Sequence, residues 1–409
     1  MRVLVGAFGT RGDVQPMLAL SRSLEARGHA VRLAVPPNSM ALARDAGFEA
    51  IPVGLDYEDI SRRAATGSIR ELLTLIPLLR EEVRTQIGAL EQHTAGVDLV
   101  VGSSVFAVGA VFAEVLRKPY VYFAFCPQLL ASSDHPSPAV PWHGMPHWAN
   151  RATWAFNGWY WSRLLRTLMN EVRAERKLGP IGDVWSSLTG AHPILASDPV
   201  LAAAPADHPV PVAQPGAMFL ADSGGLSPGL SSFLEAGPAP AYVGFGSMSD
   251  PSPRKTTERI LEAVRRAGVR AVISRGWARL VASAAPDGVL FIGPEPHDKL
   301  FPRCAAVVHH GGAGTTHAAA RAGVPQVVLP QLLDQHYWAH RVRALGLGRA
   351  DVPRHGRNPE PLARALRACH GDAALIARAR AFAGTMRQDG AERAAELLER
   401  ISERGESAT

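Results

Sequence analysis

Short, continuous apolar runs alternate with helical stripes along the chain. RVLVGAF is one such run, GTRGD a turn, and VQPMLALSRSLEARG puts Met17, Leu18, Leu20 and Leu24 on one helical stripe that Gly28 ends. HAVRLAVPP supplies the next run, so the chain opens as strand, helix, strand. Runs without alternation are buried on both faces, and their interleaving with helices predicts a parallel, doubly wound sheet. VDLVVGSS and KPYVYFAFCP continue as strands, with VGAVFAEVLR as the helix between them.

From Ser132 to Met169 the rhythm breaks into a stretch rich in proline, histidine and tryptophan, and APADHPVPVAQPGAMFLADSGGLSPGL has the composition of a linker. Alternation then restarts with PAYVGFG, the helix RKTTERILEAVRRAG, RAVISRG, GVLFIG, AAVVHH, a helix from about Thr315, PQVVLPQ and the helix YWAHRVRALG. The expected organisation is a first α/β domain over 1–215, a linker over 216–237 and a second α/β domain over 238–380. Helices over 381–409, two of them joined at Asp389-Gly390, have room to pack back on the first domain. Such a molecule has two lobes facing a cleft, with ligands expected at the carboxyl ends of the strands.

Composition narrows the class. In 409 residues, 47% are apolar and 20% charged, which suits a folded protein with real cores. The net charge of +6 comes from arginines scattered over helical patterns, not from a dense basic face, so nucleic-acid binding is not expected. Cys126, Cys304 and Cys369 are far apart and suggest free thiols in a reducing compartment. MRVLVGAFGT lacks a signal-peptide pattern and no apolar run reaches membrane-spanning length, so a cytoplasmic protein is expected, as a monomer or weak dimer.

Two glycine turns carry the candidate chemistry. In GAFGTRGD the glycines at 6, 9 and 12 allow a ligand close to the backbone. The spacing is G-x-x-G-x-x-G, and the second strand ends in AVPPN without a carboxylate, which argues against a dinucleotide site. Asp13 reads as the N-cap of the following helix or as a general base, and the pattern alone leaves both open. In HHGGAGTT a buried strand meets a helix start that Thr315 or Thr316 would cap, a place suited to a diphosphate. His309 is expected to contribute a hydrogen bond or charge there. His309 and His310 are adjacent on a strand and point to opposite faces, so they cannot share a metal ion. No Gly-Lys-Ser/Thr follows, so this is not a P-loop. Asp334 and Gln335, before the next helix, suit vicinal sugar hydroxyls, with capping by Asp334 as the equal alternative.

HHGGAGTTHAAARAGVPQVVLPQLLDQHYWAHRV resembles the nucleotide-sugar signature of family-1, GT-B-fold glycosyltransferases. GTRGDVQPMLALSRSLEARGHAVRLAVPPN is similar to the amino terminus of their vancomycin-type and sterol-glucosyltransferase branch. The resemblance spans nearly the whole chain and implies two doubly wound, Rossmann-like domains. The first would bind the acceptor and the second the nucleotide sugar. The implied activity is that of a hexosyltransferase, with inverting, metal-independent transfer from a UDP- or dTDP-sugar, which is a co-substrate and not a cofactor. Asp13 would be the base. Thr10, Ser247, His309, Gly312 and Thr315 would hold the diphosphate, and Asp334 and Gln335 the donor sugar. Arg275, Trp277 and Pro294 would lie near the nucleotide base. Two departures stand out: many members have a histidine base where this chain has Gly12-Asp13, and plant members have a base-stacking tryptophan where it has Pro294 and Glu295. Trp142, Trp148 and Trp154 fall in the acceptor region, although Trp154 and Trp161, seven apart, also fit one packed helix face. The expected acceptor is a hydrophobic or polycyclic natural product, such as an antibiotic aglycone. A sterol or lipid acceptor with peripheral membrane contact is the runner-up, and a non-catalytic nucleotide-sugar-binding homologue is the last alternative.

Overall fold

The computed structural model describes residues 1–63, 69–104, 106, 108–221, 224–281, 285–353, 356 and 358–406. The chain forms two compact units: Met1–Ile60, Ser68–Leu220 and Arg387–Thr409 make the first, Ser61–Gly67 and Ala221–Met386 the second.

The first unit holds a parallel sheet of β1 (Arg2–Phe8), β2 (Ala30–Val35), β3 (Ala50–Pro52), β4 (Leu99–Ser104), β5 (Tyr120–Ala124) and β6 (His192–Leu195) in the order β3-β2-β1-β4-β5-β6. Residues 3–8 of β1 are all buried, as the unbroken apolar run requires. From β1 the chain winds outward one way through β2 and β3, then returns to add β4, β5 and β6 on the other side. The order therefore reverses between β1 and β4, and a crevice at their carboxyl ends is where such sheets place ligands. Phe8 pairs with Ser104 at that end.

The second unit repeats the plan with β7 (Ala241–Gly244), β8 (Ala271–Ser274), β9 (Val289–Ile292), β10 (Ala306–His309), β11 (Gln326–Val328) and β12 (Gly348–Arg349), ordered β12-β11-β10-β7-β8-β9 and parallel throughout. Its reversal lies between β7 and β10. Each unit has its own apolar core, built in the first around Leu4, Phe8, Val100 and Tyr122 and in the second around Val243, Ile273, Val308 and Val327.

Two expected limits move. The stretch read as linker contains the helix Pro228–Glu235, because Leu230 and Leu234, one turn apart, bury against Tyr242, Val272 and Ile292. The limit at residue 380 falls inside the helix Ala373–Ala383, and the chain rejoins the first unit only at Arg387. There Asp198 accepts from Arg387 N at 2.8 Å, and Gly390 lies so close to the Ala217 carbonyl that a side chain would not fit. The last helix, Gly390–Glu406, is tied to the first unit through Glu399, which accepts from Arg27 Nη2 at 2.7 Å and contacts His29 Nε2 at 2.7 Å. Among the described residues no helix is long and apolar enough to cross a membrane.

Candidate active site

In the first unit the site grows from the reversal point. The helix Arg11–Ala26 starts right after β1, with Thr10 as N-cap and Asp13 at its third position, the arrangement of a capping box. Asp13 is therefore not the N-cap residue. Its Oδ2 accepts from Thr10 N at 2.8 Å and Thr10 Oγ1 at 3.1 Å, and its Oδ1 accepts from Ser104 Oγ at 2.5 Å. Both donors of Thr10 are thus spent on Asp13, which corrects the expectation that its hydroxyl serves a diphosphate. Gly9 has φ +132°, and a Cβ there would overlap the Asp13 carboxyl, so only glycine lets the turn close over it. Burial raises the Asp13 pKa, against the opposing pull of the Ser104 and Thr10 hydrogen bonds. The phenols of Tyr57 and Tyr122 are held neutral by burial, with the charge of Asp13 adding to the effect.

In the second unit the turns after β7, β8 and β10 interlock. Trp277 N donates to Gly246 O at 3.1 Å, tying the β8 turn to the β7 turn that carries Ser247. A Cβ at Gly312 would overlap the His310 ring and one at Gly246 would press on it, so the ring fills the space those two glycines leave. Gly311, at φ +93°, packs its Cα against the backbone of Gln335, bringing the Asp334-Gln335 loop up to the glycine turn. Arg275 extends over the Phe291 ring, 5.4 Å from its centroid, and Pro294 is exposed in the loop after β9. The structure thus gathers Ser247, Trp277, His310, Gly312, Thr315, Asp334 and Gln335 around one end of the sheet, with Arg275 and Pro294 at its margin.

In the second unit the structure departs from expectation at three places. His309 is fully buried, its Nε2 faces Gln326 Oε1 at 2.9 Å and its Nδ1 accepts from Gly311 N at 3.1 Å. Burial lowers its pKa to about 4, so it is a neutral brace and supplies no charge to a phosphate. His310, which points to the other side, is the imidazole that meets the turn, and opposite-facing neighbours on a strand were the signal for it. The helix after the turn is Ala313–Arg321 with Gly312 as N-cap, one turn earlier than expected, and Thr316 donates to Gly312 O at 2.9 Å. Gln335 is buried; its Oε1 accepts from Gln331 N at 2.9 Å and Leu332 N at 3.3 Å, and its Nε2 lies 3.2 Å from Met248 Sδ. It folds the loop that presents Asp334, which sits at the N-cap position without a side-chain capping bond.

The tryptophan-rich stretch enters the helix His147–Glu175, with Trp142 in the irregular segment before it. Trp154 is buried, donates Nε1–H to His135 O at 3.1 Å and meets Trp185, as does Trp161, so the core reading holds for that face. Trp154 is removed from the acceptor region for that reason. Trp142 and Trp148 are 69% and 73% exposed and remain available, together with exposed Phe156 and Trp159, which pack on each other at 5.6 Å.

Two switch-point turns, one ending on an enclosed carboxylate and the other on a helix amino terminus, define a two-domain transferase of the GT-B fold. The chain belongs to the glycosyltransferase family that contains the vancomycin-type enzymes. Residues 3–132 match the Glycosyltransferase family 28 N-terminal domain, and residues 258–400 match the Erythromycin biosynthesis protein CIII-like C-terminal domain. The chain is 37% identical to the vancomycin aglycone glucosyltransferase of Amycolatopsis orientalis, with 97% of each chain covered. It is 32% identical to a sterol 3-beta-glucosyltransferase of Arabidopsis thaliana over 90% of this chain and 62% of that one. The solved glycosyltransferase VinC in complex with DTDP shares the fold, with a TM-score of 0.69 and 22% identity over 99% of this chain and 100% of that one.

Proposed function

We propose that this glycosyltransferase moves a sugar, with inversion, from a UDP- or dTDP-sugar to a hydroxyl of a hydrophobic, polycyclic acceptor such as an antibiotic aglycone. The observation that carries the reading is the Asp13 carboxylate, enclosed by Gly9, Thr10 and Ser104 at the strand-order reversal. In this reading the acceptor hydroxyl gives its proton to Asp13 while its oxygen bonds to the anomeric carbon. The bond from that carbon to the diphosphate oxygen breaks on the opposite face, and the diphosphate leaves with the electron pair. Burial makes Asp13 a stronger base than an ordinary aspartate, which eases a proton transfer that a solvated carboxylate performs poorly at neutral pH.

The leaving diphosphate would sit at the amino terminus of the helix Ala313–Arg321, whose first amides have no partner within the helix, with the His310 imidazole and the Ser247 and Thr315 hydroxyls beside it. The helix dipole supplies the positive potential there and the His310 ring a hydrogen bond, so no metal is invoked. Asp334 would bind the donor sugar, with Gln335 holding its loop. Arg275, Trp277 and Pro294 would flank the nucleotide base, and Trp142 and Trp148 the acceptor.

The test is Asp13→Asn, assayed against acceptor aglycones with UDP- and dTDP-sugars. A loss of turnover of about 100-fold or more with nucleotide affinity retained is expected, and near-normal turnover sinks the reading. A sterol or lipid acceptor is the second reading, favoured by the exposed aromatic face of Trp148, Phe156 and Trp159 beside Arg151, Arg163 and Arg166. Sedimentation with vesicles of anionic phospholipid separates the two, since clear binding supports the lipid acceptor.

A further inference from the structure

We propose that Ser104 is the positioning residue of the reaction, holding the Asp13 carboxylate by Oδ1 so that one acceptor site on that same oxygen faces the incoming hydroxyl. The inference rests on the reading of Asp13 as the base. Two of the three donors that reach Asp13 from other groups belong to Thr10, three residues earlier on the same turn, and the bond from its backbone amide is the one a capping box supplies. The third comes from a strand 91 residues away, and helix capping gives no reason for it.

That third bond is made by a backbone under strain. Ser104 has φ +51°, a left-handed conformation that costs a residue other than glycine on the order of 1 kcal/mol. The structure enforces it from two sides. Tyr122, buried in β5, donates its hydroxyl to Ser104 O at 3.2 Å. Two residues on, Phe106 is fully buried and stacks on Phe8 at 5.2 Å, in the space that Gly6 and Gly102 leave open. The local strain is thus maintained by packing, and what it yields is the serine hydroxyl 2.5 Å from Oδ1.

The hydrogen-bond count then fixes the geometry of the base. A carboxylate offers about four acceptor sites. Thr10 takes two on Oδ2 and Ser104 one on Oδ1, with the Asp13 amide also bearing on the carboxyl, so Oδ1 receives no donor from another residue except Ser104 and is the oxygen open to the incoming hydroxyl. A donor on Oδ1 also favours the ionised form against the burial that opposes it. The titratable groups that face Asp13 from the packed elements are the Tyr57 and Tyr122 phenols, both pushed up by burial, and Glu82 accepts from Tyr57 at 3.2 Å. None of these supplies a second donor to Oδ1.

Ser104→Ala keeps the Cβ and the backbone cost and removes only the hydroxyl, whereas Ser104→Gly removes both. The titration of Asp13 is followed by carbon NMR of protein labelled at the aspartate carboxyl carbons, with Asp13→Asn identifying the resonance, alongside the pH profile of kcat/KM. In both variants the Asp13 midpoint and the acid limb should move up by about one pH unit, and kcat should fall roughly tenfold. Donor affinity should be unchanged. An unmoved midpoint in both variants overturns the proposal, even if one of them melts at a lower temperature. Should Asp13→Asn retain turnover, the base reading fails by itself, while the NMR midpoint still decides whether Ser104 holds the carboxylate.

Discussion

His309 and Gln326 face each other from neighbouring strands, Nε2 to Oε1 at 2.9 Å, and Gln326 Nε2 continues to Thr316 O at 3.3 Å. This buried link joins β10, β11 and the first turn of the helix Ala313–Arg321, so it braces the glycine turn from inside the fold. His309→Ala should therefore lower folding stability by about 3 kcal/mol, since it leaves a cavity and strands the Gln326 carbonyl and the Gly311 amide. His310→Ala, which removes a ring only partly buried, should cost less stability than that and weaken UDP or dTDP binding. Urea denaturation and calorimetric titration of both variants check the split, and a nucleotide affinity unchanged by His310→Ala removes that ring from the site.

The same burial makes a pH prediction. In the folded chain His309 titrates at about 4, below its ordinary value near 6.5. Between those values the unfolded chain binds a proton that the folded chain refuses, so this contribution to stability is complete above about 6.5 and shrinks as pH falls toward 4. The slope from one such group approaches 1.4 kcal/mol per pH unit inside the window. Denaturation midpoints across pH 4 to 7 should show it in the wild type, and His309→Gln should flatten that part of the curve.

Gly9→Ala tests how closely the first turn is built around Asp13, the proposed base. Its φ of +132° is costly for alanine, and the added methyl would take the place of the Asp13 carboxyl. Turnover should fall by at least about 100-fold, the contribution of a general base, while thermal stabilisation by UDP or dTDP persists because the turns proposed to hold the nucleotide belong to the other unit. A variant with normal turnover would mean that Asp13 need not sit where Gly9 allows it.

The strand-helix alternation was legible because buried parallel strands are written as unbroken apolar runs, and RVLVGAF or AAVVHH reads that way whatever lies around it. The site was legible only to the level of its turns. Sequence placed His309 at the proposed diphosphate site, but which of His309 and His310 faces the turn depends on the inward direction of the last strand residue, a matter of phase. Gln335 looks like a sugar ligand by chemical type, and only the folded loop shows its carbonyl already taken by Gln331 N and Leu332 N. Ser104 gave no signal beyond its position at the end of VDLVVGSS. Its role arises from the pairing of β1 with β4, across which Ser104 stands opposite Phe8, and no local pattern encodes that pairing.

The helix His147–Glu175 carries an enclosed and an exposed tryptophan six positions apart. Trp154 is enclosed, hydrogen-bonded to His135 O and packed on Trp185, whereas Trp148 is 73% exposed on the same helix. Trp154→Ala should cost about 3–5 kcal/mol, as expected for removal of a buried indole, and lower activity only in proportion to the folded fraction. Trp148→Ala removes no packed surface, so its melting temperature should stay near that of the wild type. If Trp148 lies against the acceptor, its loss should raise the acceptor KM severalfold and leave the donor KM unchanged, because an aromatic contact of this kind contributes about 1 kcal/mol. Steady-state kinetics with acceptor and donor varied in turn measure this split. An unchanged acceptor KM in Trp148→Ala and Trp142→Ala together would move the acceptor away from this helix and leave its exposed aromatic face to the lipid reading.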